Sequence, residues 1–136
     1  MLEYEVFSQR LSAKISVATA KCAEMTLDTG IEERQDAFNP AELMLAALSA
    51  GMLKGIESVA PTLNFGFRDA AIRFHGWCQE NPSKMVRIEY TVWIDTDETD
   101  RRMELLHDNL KNFGTIFNTV AAGCELTGGI RRGRPE

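Results

Sequence analysis

The sequence predicts a single α+β domain, residues 1–136, built around one long buried helix. Three observations predict it. Residues 39–60 form a capped, almost uninterrupted apolar helical segment. Segments within residues 13–27 and 72–94 alternate apolar and polar side chains with period two, as half-buried strands do. The strands are grouped together instead of alternating strictly with helices, which favours α+β over a doubly wound fold.

The first third reads as strands. Ala13, Ile15 and Val17 alternate with Lys14, Ser16 and Ala18, and Thr19 continues the phase with a β-branched side chain. Ala23, Met25 and Leu27 then alternate with Glu24, Thr26 and Asp28. Asp28-Thr29-Gly30 supplies a turn, and residues 31–37 make a charged loop.

The helix follows. Asn39 is a good N-cap, Pro40 occupies the tolerated first position and Glu42 stands three residues after the cap, an Asn variant of the capping box. Leu43, Met44, Ala46, Ala47, Leu48, Ala50, Met52, Leu53 and Ile56 cover nearly the whole circumference, so enclosure on most sides is expected. Some 20 residues span about 30 Å, the width of a small domain. Pro61 marks the end.

Two strands come next. Ile72 and Phe74 alternate with Arg73 and His75, and Val86, Ile88, Tyr90, Val92 and Ile94 alternate with Arg87, Glu89, Thr91, Trp93 and Asp95. Glu80-Asn81-Pro82-Ser83 between them reads as the turn of an antiparallel hairpin. The acidic residues 95–100 suit a helix N-terminus, and Met103, Leu106, Leu110 and Phe113 form one apolar stripe. Gly114 interrupts it, residues 115–121 form a short further helix ended by Gly123, and residues 125–130 return as a last strand. The basic residues 131–136 read as a solvated terminus.

The totals narrow the function classes. A 136-residue chain buries about two thirds of its unfolded surface and needs neither disulfide nor metal to fold. Apolar content of 44% and charged content of 26% are ordinary for a globular protein. A formal charge of −5 argues against a nucleic-acid partner. The first residues show no signal-peptide pattern. Within the helix, the uncharged run over residues 43–53 is shorter than the ~20 residues of a membrane span. A cytoplasmic protein without membrane attachment is therefore expected. Cys22, Cys78 and Cys124 are odd in number and far apart, which excludes a CxxC pair and a cysteine-rich zinc site. No metal site and no cofactor are expected, since His75 and His107 each stand alone in their segments.

Two segments carry a family resemblance. Asn39-Pro40-Ala41-Glu42-Leu43-Met44-Leu45-Ala46-Ala47-Leu48-Ser49-Ala50-Gly51 resembles the Asn/Ser-Pro-x-Glu-Leu-x-x-Ala-Ala-x-x-Ala-Cys helix of the OsmC/Ohr family. Asn112-Phe113-Gly114-Thr115-Ile116-Phe117-Asn118-Thr119-Val120 resembles its Cys-Pro-Val-x-Asn-Thr-Leu segment. The pair at this separation, with a hairpin between, is more specific than either alone. The resemblance implies an intertwined homodimer, with a strongly curved antiparallel sheet around the central helix in each subunit and sites where subunits meet. Its catalytic branches reduce organic hydroperoxides in oxidative stress. They use a cysteine activated by an Arg and a Glu, and a second cysteine that resolves the sulfenic acid.

Position by position, the helix cysteine falls on Gly51, the second cysteine on Gly114 and the proline after it on Thr115. Glycine can neither form a sulfenate nor resolve one. The activating Glu of the Ohr branch falls on Ala41, with Glu42 one residue later, and Arg10 is the candidate for the activating Arg. For Glu42 the capping box is a sufficient reason, and the alternative is a polar group at the mouth of a degenerate site. For Gly51 and Gly114 the alternatives are close packing and a vacated cavity walled by Met52, Phe113, Ile116 and Phe117. Cys22 and Cys78 lie in or beside strands and Cys124 follows a helix C-terminus, the end of the dipole that disfavours a thiolate, so the three read as inert. Trp77 and Trp93 suit either dimer contacts or ordinary packing.

The expected function follows from these absences. It is a non-peroxidase member that binds a small apolar ligand or serves as a structural homodimer. The alternative is a thiol-dependent hydroperoxide reductase that uses a displaced cysteine, Cys124 or Cys78.

Overall fold

Strands β1 (Phe7–Arg10), β2 (Ile15–Ala20) and β3 (Ala23–Asp28) form an antiparallel meander within the unit Met1–Met44 of a computed structural model that describes residues 1–136. The β2–β3 ladder runs from Ile15↔Asp28 to Ala20↔Ala23, and the hairpin turns at Lys21-Cys22 with Lys21 in the left-handed region at φ 57°. β1 has no apolar alternation. Its pairing with β2, Phe7↔Thr19 to Arg10↔Ser16, and the turn at Ser12 place it in the sheet. The expected apolar face is not buried within this unit. Phe7, Leu11 and Met25 stay exposed, whereas Ser16 and Asp28 are buried. Ser16 shares a hydrogen bond with Thr29 (2.7 Å), and Asp28 Oδ2 accepts from the Arg34 backbone N–H (3.0 Å), which organises the charged loop.

Helix α1 (Pro40–Thr62) starts at a reciprocal capping box. The Glu42 N–H donates to Asn39 Oδ1 (2.8 Å) and the Asn39 N–H donates to Glu42 Oε1 (3.0 Å). By length and composition its 23 residues could cross a membrane, although the uncharged run inside it is much shorter. The helix is not enclosed on most sides as expected. One stripe is buried, Leu48, Met52, Ile56, Val59 and Ala60, while Ala47, Ala50 and Leu53 stay exposed. The apolar circumference exceeds what one chain's layer can cover.

The second unit, Leu45–Glu136, holds β4 (Asp69–Glu80), β5 (Ser83–Asp95), α2 (Asp100–Phe113), α3 (Thr115–Ala121) and β6 (Glu125–Arg132). β4 and β5 form the expected antiparallel hairpin across Asn81-Pro82. β6 lies on the other side of β5 and runs parallel to it, Arg87↔Glu125 to Ile94↔Arg132, so this sheet is mixed instead of antiparallel. The reason is the connection: two helices between β5 and β6 carry the chain back to the end where β5 began. Ile88, Tyr90, Val92 and Ile94 bury one face of β5 in the same core as Met103, Leu106 and Leu110 of α2. Thr99 caps α2, and Arg102 ties its first turn to Glu98 (2.6 Å) and to the Leu63 carbonyl (2.7 Å). The basic terminus is less free than expected. Arg132 belongs to β6, donates to the Thr96 carbonyl (2.8 Å) and pairs with Asp100 (2.8 Å).

Candidate functional site

Gly114 ends α2 and opens α3 with an extended backbone, φ −79°, that any residue adopts. Its need for glycine is steric, because a Cβ there would lie 2.9 Å from Phe117 Cβ, which α3 holds in place. Gly51 differs. A Cβ there would meet Ile116 Cβ at 4.0 Å, an ordinary van der Waals distance. The two glycines thus both adjoin α3, through Ile116 and Phe117. The walls divide into two kinds: Met52 and Phe117 are buried, whereas Ile116 is partly exposed and Phe113 is 70% exposed. The space beside Gly114 is occupied by Phe117, so close packing accounts for it. Glu42 is engaged in the capping box, and Arg10 is exposed at the end of β1.

The Gly51 geometry makes a prediction. Gly51→Ala removes a helix-interior glycine without a clash inside this chain, so unfolding free energy should rise by about 0.5–1 kcal/mol in urea titrations. A loss instead would show that another chain's backbone approaches Gly51.

Phe117 also joins a buried aromatic group that the periodicity did not reveal. The Tyr90 ring stacks on Phe74 (5.2 Å) and meets Phe117 edge-on (6.0 Å), and its hydroxyl shares a 2.6 Å hydrogen bond with His107 Nε2. Burial, with Asp108 and Glu104 nearby, pushes the Tyr90 hydroxyl up to about 12. Burial, aided by Lys111, lowers His107 from its ordinary value against the opposing pull of Glu104 and Asp108. His107 is therefore not the isolated histidine of the sequence reading. The signals were present, since His107 lies next to Leu106 on the α2 stripe and Tyr90 sits in apolar phase with a hydroxyl that needs a partner. Glu104, His107 and Asp108 also bring possible ligand atoms within 4.8 Å of one another, at a spacing of three and four along α2, although no metal site is expected from the sequence. Lys111 pairs with Asp108 at 3.6 Å.

Removing the hydroxyl should matter. Tyr90→Phe leaves His107 without its buried partner and should cost about 1–3 kcal/mol. The pH dependence has a definite sign. Below the unfolded value of 6.5, the unfolded chain binds a proton at His107 that the native state resists, so stability falls as pH drops from that value toward the lower folded one. His107→Gln should flatten part of this slope in urea midpoints measured between pH 7.5 and 5.

Cys22 and Cys78 are exposed, Cys124 is half-buried, and none forms a disulfide.

The chain resembles known proteins over nearly all its length. The sequence profile of the OsmC-like protein family matches residues 32–127. A search of curated proteins gives no match. Among solved structures, an OsmC-like protein from Mycoplasma pneumoniae superposes with TM-score 0.86 at 16% identity, covering 97% of this chain and 96% of that one. An OsmC-like protein of unknown function from Vibrio cholerae gives 0.83 at 13% identity over 96% and 100%. An organic hydroperoxide resistance protein from Elizabethkingia anophelis gives 0.78 at 11% identity over 97% and 99%. At these identities the superpositions speak for the fold, and the profile, which spans well over half the chain, speaks for the family. With the profile matched over residues 32–127, a span that includes the Asn39 helix and the Gly114 segment, this chain belongs to the OsmC-like protein family.

Proposed function

We propose that this member does not reduce hydroperoxides, and that it acts as a cytoplasmic homodimer whose former redox region is packed or takes a small apolar ligand. The observation that carries this reading is the pair Gly51 and Gly114, side by side with α3 and both without a thiol. Thiol-based peroxide reduction needs a sulfur atom that takes the peroxide oxygen as a sulfenic acid and a second thiol that condenses with it, forming a disulfide and releasing water. Apolar side chains left in water support the dimer: Phe113 and Ile116 in one unit, and Phe7, Leu11 and Met25 in the other. Three unpaired thiols suit a reducing compartment.

The purified protein should show no turnover of cumene hydroperoxide above background with dithiothreitol or dihydrolipoamide. Thiol-dependent turnover would overturn the reading. Native mass spectrometry separates its two forms, since a co-purifying small molecule marks a binding module and a bare dimer mass marks a structural one.

One observation favours the reductase with a displaced cysteine: Cys78 is exposed on β4 and Cys124 is partly exposed before β6. Dimedone labelling after peroxide treatment tests it, and no sulfenate adduct on either residue would remove it.

A further inference from the structure

The outer face of the second sheet has a composition unlike the rest of the chain. Its register sets Ala71, Trp93 and Arg131 in one rung, Arg73, Thr91 and Gly129 in the next, then His75, Glu89 and Thr127, then Trp77, Arg87 and Glu125. Three arginines thus stand against two glutamates on a chain that carries −5 overall. Both of the chain's tryptophans lie here.

The cations and rings are already organised. Arg87 lies 4.0 Å over the Trp77 ring, His75 stacks on the same ring at 4.2 Å, and Arg73 lies 5.2 Å from Trp93. Arg87 is also near Glu89, at 3.7 Å. Arg73 and Arg131 are exposed and take part in none of the chain's ion pairs. The hydroxyls of Thr91 and Thr127 make no hydrogen bond within the protein. Gly129 has open space where a side chain would stand, which leaves a floor between the rungs. An open depression of about 310 Å³ is lined here by Arg73, His75, Trp77, Glu89, Thr91 and Thr127.

We propose that this face binds a small aromatic anion of the chemical class of a nucleoside monophosphate. The unpaired Arg73 fork matches a phosphate or carboxylate, and its planar donors are best used in that pairing. Thr91 and Thr127 supply neutral donors beside it, and Glu89 can accept from an amine or hydroxyl of the ligand. The exposed His75 ring, stacked on Trp77 and lining the depression, suits a flat ring, which a bare inorganic anion does not provide. The depression's size suits one small molecule and is at the low end of ligand pockets, about 300–1,000 Å³. The inference does not rest on the redox reading, because none of these residues belongs to the Gly51 and Gly114 region.

The test uses the full chain and its own tryptophans. Adenosine 5′-monophosphate, the probe, should produce a saturable change in tryptophan fluorescence. Adenosine and inorganic phosphate should each bind about tenfold more weakly or worse, since each lacks one half of the recognised chemistry. Arg73→Gln should weaken the probe about tenfold or more, whereas Arg101→Gln, an exposed arginine on α2, should leave affinity unchanged. The proposal is overturned if the probe gives no saturable change, if Arg73→Gln binds as the parent does, or if phosphate alone binds equally well. A single-stranded oligothymidine that binds a hundredfold more tightly than the mononucleotide would also overturn it, by showing a nucleic-acid platform instead.

Discussion

Gly128→Ala should lower unfolding free energy by about 3 kcal/mol, at the upper end of what overpacking costs. In the β5–β6 ladder Gly128 stands opposite Tyr90, and the Tyr90 ring lies across it. A Cβ at residue 128 would collide with the Tyr90 carbonyl oxygen and with two ring atoms, Cγ and Cδ1, the latter at 2.5 Å. The carbonyl is backbone within the sheet and cannot swing away. The ring is held by Phe74, Phe117 and His107. Relief therefore requires the two strands to part or the aromatic group to break. Urea unfolding, with a lower midpoint and unchanged slope, is the measurement. Gly129→Ala is the control. A side chain there meets nothing within 4 Å, so stability should hold or rise slightly. Equal losses at the two positions would refute the steric account.

Phe117→Ala should cost about 3–5 kcal/mol, the range for truncating a core aromatic. Phe117 is 9% exposed, packs edge-on against Tyr90 and fills the space beside Gly114. Its removal should leave an apolar cavity next to Gly114, and such cavities take up apolar molecules of benzene size. A variant that recovers several degrees of melting temperature in saturated benzene, when the parent does not, would show that Phe117 alone closes this space. A loss under 1 kcal/mol would mean that the site collapses or was loosely packed. Paired with the Gly51→Ala result, it separates packing within the chain from closure by a second copy.

These expectations mark how far the sequence reaches. The capping box at Asn39 and Glu42, the period-two run from Val86 to Ile94, the Thr115–Ala121 helix and the break at Gly114 were legible in the sequence. Each is set by residues within a few positions of one another: a side chain meeting a nearby N–H, an alternation, a missing Cβ. The motif pair also singles out Gly51 and Gly114 in the sequence. β1 was not legible, because Phe7-Ser8-Gln9-Arg10 has no pattern of its own and is a strand only through β2. The parallel direction of β6 was not legible either, since it depends on where α2 and α3 return the chain.

By itself, then, the sequence determined the fold class, the order of most elements, the two motifs that resemble the family and the glycines that stand in them at residues 51 and 114. Only the tertiary structure decided that Phe117 occupies the space beside Gly114, that Gly128 must yield to Tyr90, that Tyr90 and His107 are partners, and that Arg73, His75, Trp77 and Trp93 share one face. The physical reason is sequence separation. Local hydrogen bonds and periodicity are written in neighbouring residues, whereas steric exclusion and hydrogen bonds between elements depend on approach distances that no short segment encodes.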